Sequence, residues 1–85
     1  MLYQIKQVIP TQDYQLYLTY SDNVTLLVDF NHLIEKGGVF ARLKEIFEQV
    51  AISENGRYIY WDNDLDFCAD GLRQEGLIIN SLKSA

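Results

Sequence analysis

Between Trp61 and Cys68 the chain reads Trp-Asp-Asn-Asp-Leu-Asp-Phe-Cys, which sets Asp62, Asp64 and Asp66 at alternate positions. Carboxylates at positions 1, 3 and 5 are how a calcium loop opens, because a hard cation collects several oxygen ligands. The likeness stops there. Position 6, where such a loop needs glycine for its sharp turn, is Phe67. Position 12, normally a bidentate glutamate, is Arg73, whose cation would repel a metal. The plainer reading is a loop whose aspartates cap the turn that follows or bond the backbone. No metal and no other cofactor is expected. A small-ligand or metal sensor built on Asp62 to Asp66 stands as the alternative.

The other reactive side chains are isolated. His32 is the single histidine, and a catalytic imidazole needs a nucleophile or an acid within reach. Its neighbours Asp29 and Asn31 instead mark a turn or a helix start. Cys68 lies among acidic side chains, which work against a reactive thiolate, so a small packing residue is expected. Gly37-Gly38 lacks both the lysine and the strand–loop–helix setting of a phosphate loop. With no grouping of acid, base and nucleophile, catalysis is not expected.

These residues must be positioned by a mixed set of elements. Residues 3–9 read as a strand closed by Pro10, which lacks a donor and suits an edge. Tyr14, Leu16, Leu18 and Tyr20 alternate with Gln15, Tyr17 and Thr19, and Val24, Leu26, Val28 and Phe30 continue the alternation. That period of two marks half-buried strands, and Ser21-Asp-Asn23 supplies the turn between them. The even-numbered residues should share one face of an antiparallel pair. After a short turn around residues 31–35, Val39, Phe40, Leu43, Ile46, Phe47 and Val50 recur at helical spacing. Residues 50–53 and 58–61 then form strands joined at Asn55-Gly56, a strong hairpin signal. Residues 62–66 are read as a loop, and 69–75 as a short helical turn ended by Gly76. The apolar run Leu77 to Leu82 has no assigned place.

The expected architecture is therefore α+β. It is an antiparallel β-sheet of about five strands in the order βββαββ, with one amphipathic helix on one face and a short C-terminal helical turn. All 85 residues fit a single domain, and a core this small gives modest stability. Seven basic residues against twelve acidic ones leave a net charge of −5. Nucleic-acid binding needs clustered cations, and here they are scattered, so direct DNA or RNA binding is not expected. The apolar runs are far shorter than the ~20 residues that span a bilayer. Met1-Leu-Tyr-Gln-Ile-Lys is not patterned as a signal peptide, and one cysteine fits a reducing cytoplasm.

The ordered landmarks are Tyr14, Leu16 and Leu18, then Asp29, then Gly38, Phe40 and Leu43. Phe47, Val50, Trp61, Asp64, Leu65, Asp66, Asp70 and Leu72 complete them. Together they resemble domain-of-unknown-function family 2442, uncharacterised small bacterial proteins, over roughly residues 1–75. Asp62 stands where the family often has proline, and Leu72-Arg73 where it often has Leu-Tyr. The resemblance implies a small partner protein, in some members of a toxin–antitoxin-type pair.

One helix cannot cover both faces of a sheet, so one face is expected to seek a partner. Tyr17, Tyr58, Tyr60 and Trp61, with the loop carboxylates Asp64 and Asp66, are the candidate binding residues. Tyrosines beside aliphatic neighbours are common interface material. Cross-strand tyrosine pairing on a wet face is the other reading. The expected function is a non-catalytic, acidic protein-interaction module that binds a small basic protein or forms a homodimer.

Overall fold

The even-numbered apolar residues Leu16, Leu18, Tyr20, Leu26, Val28 and Phe30 are buried as a set. The computed structural model describes residues 3–62 and 65–80; residues 1–2, Asn63, Asp64 and 81–85 lie outside the described residues. The first strands are β1 (Ile5–Pro10), β2 (Gln15–Tyr20) and β3 (Thr25–Asp29). They are followed by β4 (Ala51–Ile52), β5 (Tyr58–Asp62), β6 (Leu65–Cys68) and β7 (Leu77–Asn80). The helices are α1 (Asn31–Lys36), α2 (Leu43–Ile46) and α3 (Ala69–Glu75).

The β2–β3 hairpin forms as the alternation requires. Leu16 lies opposite Val28 and Leu18 opposite Leu26, so both strands turn the same parity inward. Asn23 takes a left-handed backbone at the turn, and its N–H donates to the Tyr20 carbonyl at 2.8 Å. β1 pairs outside β2 as an edge strand, with Pro10 at its end.

Every strand pair is antiparallel, and the α+β reading holds. The single five-stranded sheet does not. The strands form a four-stranded sheet, β1-β2-β3-β7, and a three-stranded sheet, β4-β5-β6. The free side of β3 is taken by β7, where Leu27 sits opposite Leu77, so β4 cannot join there. The stretch read as a loop contains strand β6, with Ile59 opposite Phe67 and Tyr60 opposite Asp66. Of the run Leu77 to Leu82, the first four residues are β7 and the rest lies outside the described residues.

The inner faces of the two sheets share one core. Ile59, Trp61 and Leu65 of the second sheet join Leu16, Leu18 and Leu26 of the first. Each fully buried side chain of this kind stabilises by about 1.5–3 kcal/mol. Phe30 sits at the centre of an aromatic group, 5.5 Å from Trp61, 5.8 Å from Phe47 and 5.1 Å from Phe67. Such edge-to-face contacts add to area burial.

The long amphipathic helix is also corrected. α2 is flanked by 3-10 turns at Gly38–Arg42 and Phe47–Gln49. Leu43 and Phe47 still face the core at helical spacing. The helix breaks after Ile46, whose φ of −119° leaves the helical range. Beyond the break, the Phe47 carbonyl accepts the Trp61 indole N–H at 2.9 Å, an alternative partner for a group at a helix end.

Two close approaches, one between the sheets and one within the larger sheet, fix neighbouring elements. The Ile5 N–H donates to the Gly56 carbonyl at 2.7 Å. Gly56 has φ +73°, and a Cβ there would lie 2.8 Å from the Ile5 carbonyl oxygen. At the other end, a Cβ on Gly76 would meet Leu26 Cδ1 at 2.8 Å and Leu26 Cβ at 3.0 Å. Only glycine leaves α3 and β7 room against β3.

Candidate functional site

On β5 the parity left open by the sequence is resolved. Ile59 and Trp61 point into the core, and Tyr58, Tyr60 and Asp62 point outward. Trp61 is 5% exposed and bonded to Phe47, so it is a core residue and contributes no contact surface. Asp66 is exposed on the same outer face as Tyr60, its cross-strand neighbour. Asp64 lies outside the described residues.

Tyr58 and Tyr60 stand side by side, their ring centroids 5.9 Å apart and tilted by 50°. With Ser53, Glu54, Asn55, Asp62 and Asp66 they line a depression of about 520 Å³ on the outer face of the three-stranded sheet. Its rim is ordered by the β4–β5 loop. The Ser53 hydroxyl accepts the backbone N–H groups of Arg57 at 3.1 Å and Tyr58 at 3.2 Å. It also donates to Asn55 Oδ1 at 2.9 Å, and the Gly56 N–H closes the turn onto the Ser53 carbonyl at 3.0 Å. This network presents Glu54 at the groove edge.

The groove is acidic because the nearest cations are engaged. The Arg57 guanidinium donates to Asp70 at 3.0 and 3.2 Å and also to the Tyr3 carbonyl. Its pairing holds the Asp70 carboxyl below the ordinary value of 3.8, with the Tyr3 N–H as the second cause. Arg42 pairs with Asp62 at one end of the groove. Glu54 and Asp66 have no ion-pair or hydrogen-bond partner among the described residues.

Tyr17 does not belong to this surface. It faces outward from the four-stranded sheet, in a row with Ile9 on one side and Leu27 on the other. Ile9 is 48% exposed and Tyr17 37%, so this row is a second apolar surface. Because the inner faces of both sheets meet in one core, the two outer faces point apart. The single tyrosine face expected from the sequence is therefore divided between two surfaces.

Of the Asp62–Asp66 stretch, Asp62 pairs across the ladder with Leu65, and Asp66 with Tyr60, while Asn63 and Asp64 lie outside the described residues. Asp62 pairs with Arg42, and Phe67 turns inward to Phe30 and Trp61. The cap of α3 is not an aspartate either. Cys68 Sγ accepts the Gly71 N–H at 3.3 Å, so Cys68 is an exposed cap and not a packing residue. His32 is exposed on α1. Sequence reasoning missed Ser53, Glu54 and Asn55 as groove residues. Their one signal was Asn55-Gly56, which marks the turn but not what the turn encloses.

A family model described as Protein of unknown function (DUF2442) matches residues 5–76. No curated protein and no solved structure matches the chain. No helix among the described residues is long and apolar enough to cross a membrane.

Proposed function

The chain belongs to the DUF2442 family, and from that premise we propose that it is a non-enzymatic, cytoplasmic protein-interaction module. Its contact surface is the outer face of the three-stranded sheet, and its partner is a small basic protein. One observation carries this reading. Two outward tyrosines share a concave surface with Glu54 and Asp66, neither of which has a partner among the described residues. Tyrosine supplies contact area at low conformational cost, and carboxylates steer a cationic partner. The net charge of −5 acts in the same sense. By the family resemblance, the partner would be the basic member of a toxin–antitoxin-type pair.

A random dodecapeptide library displayed on phage and selected on the immobilised protein tests the reading. Enrichment of basic peptides that bind wild type but not the Tyr58→Ser/Tyr60→Ser double variant supports it. Enrichment of neutral or acidic peptides, or binding indifferent to both substitutions, overturns it.

A further inference from the structure

We infer that the groove lined by Tyr58, Tyr60, Glu54 and Asp66 selects a guanidinium side chain, so that arginine and not lysine is its anchor. The inference rests on the interaction reading above and adds the chemistry of the recognised group.

The fold already contains one such arrangement. The Arg73 guanidinium carbon lies 4.3 Å from the Tyr3 ring centroid and 4.8 Å from that of Tyr20. Those two rings are 5.9 Å apart. The guanidinium donates to both carboxylate oxygens of Asp22, at 3.3 and 3.0 Å. Two tyrosines, one of them fully buried, and one carboxylate thus hold an arginine whose side chain is 14% exposed.

On the opposite sheet the same side-chain types recur at the same ring separation. Tyr58 and Tyr60 are also 5.9 Å apart, with Asp66 across the ladder from Tyr60 and Glu54 on the rim. Tyr58 is 41% exposed, so its ring is open to an incoming group.

The choice between cations follows from their hydration and shape. A guanidinium is flat and weakly hydrated, stacks on a ring, and offers a fork of donors to a carboxylate. An ammonium is a compact and strongly hydrated charge. In an open groove, dehydrating an ammonium is not offset by full enclosure, whereas a guanidinium stacks without losing all its water. Glu54 and Asp66 can each accept such a fork.

The test uses acetylated, amidated tetra-arginine, tetra-lysine and tetra-citrulline peptides, titrated into the full chain by calorimetry. The arginine peptide should bind about tenfold more tightly than the lysine peptide, and the citrulline peptide should not bind measurably. Asp66→Asn and Glu54→Gln should each weaken arginine binding several-fold. The Tyr58→Ser/Tyr60→Ser variant should lose the preference for arginine while Trp61 fluorescence reports an intact core. Equal affinity for arginine and lysine peptides overturns the inference and leaves the basic-partner reading standing. Citrulline binding as well as arginine also overturns it, because charge then plays no part. Failure of both cationic peptides to bind overturns both readings.

Discussion

The Tyr20 hydroxyl donates to the Ala69 carbonyl at 2.8 Å, tying the second strand of the larger sheet to the first turn of α3. The bond is buried, and the Tyr20 ring also supports Arg73 from below. Burial pushes the phenol well above its ordinary value, so the hydroxyl stays a donor throughout the physiological range. Tyr20→Phe keeps the ring and removes only the donor. It should cost about 1 kcal/mol in urea unfolding, within the range for one buried hydrogen bond. Tyr20→Leu should cost more, because Arg73 then loses one of its two supporting rings. A Phe variant as stable as wild type would show that the bond contributes nothing net.

Trp61 and Tyr58 are three residues apart on one strand, and their substitutions should have opposite consequences. Trp61→Phe removes the indole N–H from the Phe47 carbonyl and shrinks a side chain packed on Phe30, Phe47 and Phe67. A loss of about 2–3 kcal/mol is expected from the orphaned carbonyl and the smaller volume. Tyr58→Ser should change stability by less than about 1 kcal/mol, as expected at an exposed cross-strand position. Denaturant midpoints of the two variants, measured side by side, decide this. Equal losses would place Tyr58 in the core.

Acid should weaken the fold through three carboxylates. Asp22 is held below its ordinary value by its bond from Arg73, Asp29 by the Asn31 backbone N–H, and Asp70 by Arg57. A carboxyl whose folded value is depressed contributes stability that is fully present above its unfolded value of 3.8. That contribution disappears as the pH falls through the folded values. Unfolding midpoints should therefore be insensitive to these groups from about pH 7 to 5 and decline below about pH 4. Asp70→Asn should flatten the decline. A midpoint unchanged down to about pH 3 would contradict the assignment.

Gly56 and Gly76 should both resist alanine, for different reasons. At Gly56 the backbone is left-handed and the new methyl would strike the Ile5 carbonyl. A loss of about 2 kcal/mol or more is expected there. At Gly76 the backbone is ordinary, with φ −77°, and the obstacle is only Leu26 and Val28. Overpacking of this kind costs about 1–3 kcal/mol. Gly76→Ala should therefore be partly rescued by Leu26→Val, which trims the obstructing Cδ1, whereas no side-chain change should rescue Gly56→Ala. Thermal melts of the single and double variants check both statements.

What could be read from the sequence was local. The β2–β3 hairpin declares itself because its strands are consecutive and one parity is apolar in both. The Asn55-Gly56 turn and the end of the last helix at Gly76 were legible for the same reason. β6 was hidden because the alternating aspartates of the sequence around it have the polarity of a loop, although Leu65, Asp66 and Phe67 alternate as a strand does. The place of β7 was hidden because Leu77, Ile78 and Ile79 are apolar without alternation, and its partner lies far away in the sequence. Beyond the break after Ile46 the Phe47 carbonyl takes an indole from residue 61 as its partner, a contact that no helical period can announce. The groove was half legible. Its tyrosines stood out, but the rim at Ser53 to Asn55 exists only once the hairpin is closed.

The seating of β7 against β3 bears on biosynthesis. Residue 27 emerges from the ribosome long before residue 77, so the growing chain carries an uncovered β3 flank of unpaired backbone donors and acceptors. Until synthesis reaches the closing strand, that flank is open to a neighbouring polypeptide. Pairings between residues so distant in sequence also form slowly. Folding is thus timed by β7, the last strand among the described residues, and a chaperone or an early-arriving partner would act in that interval.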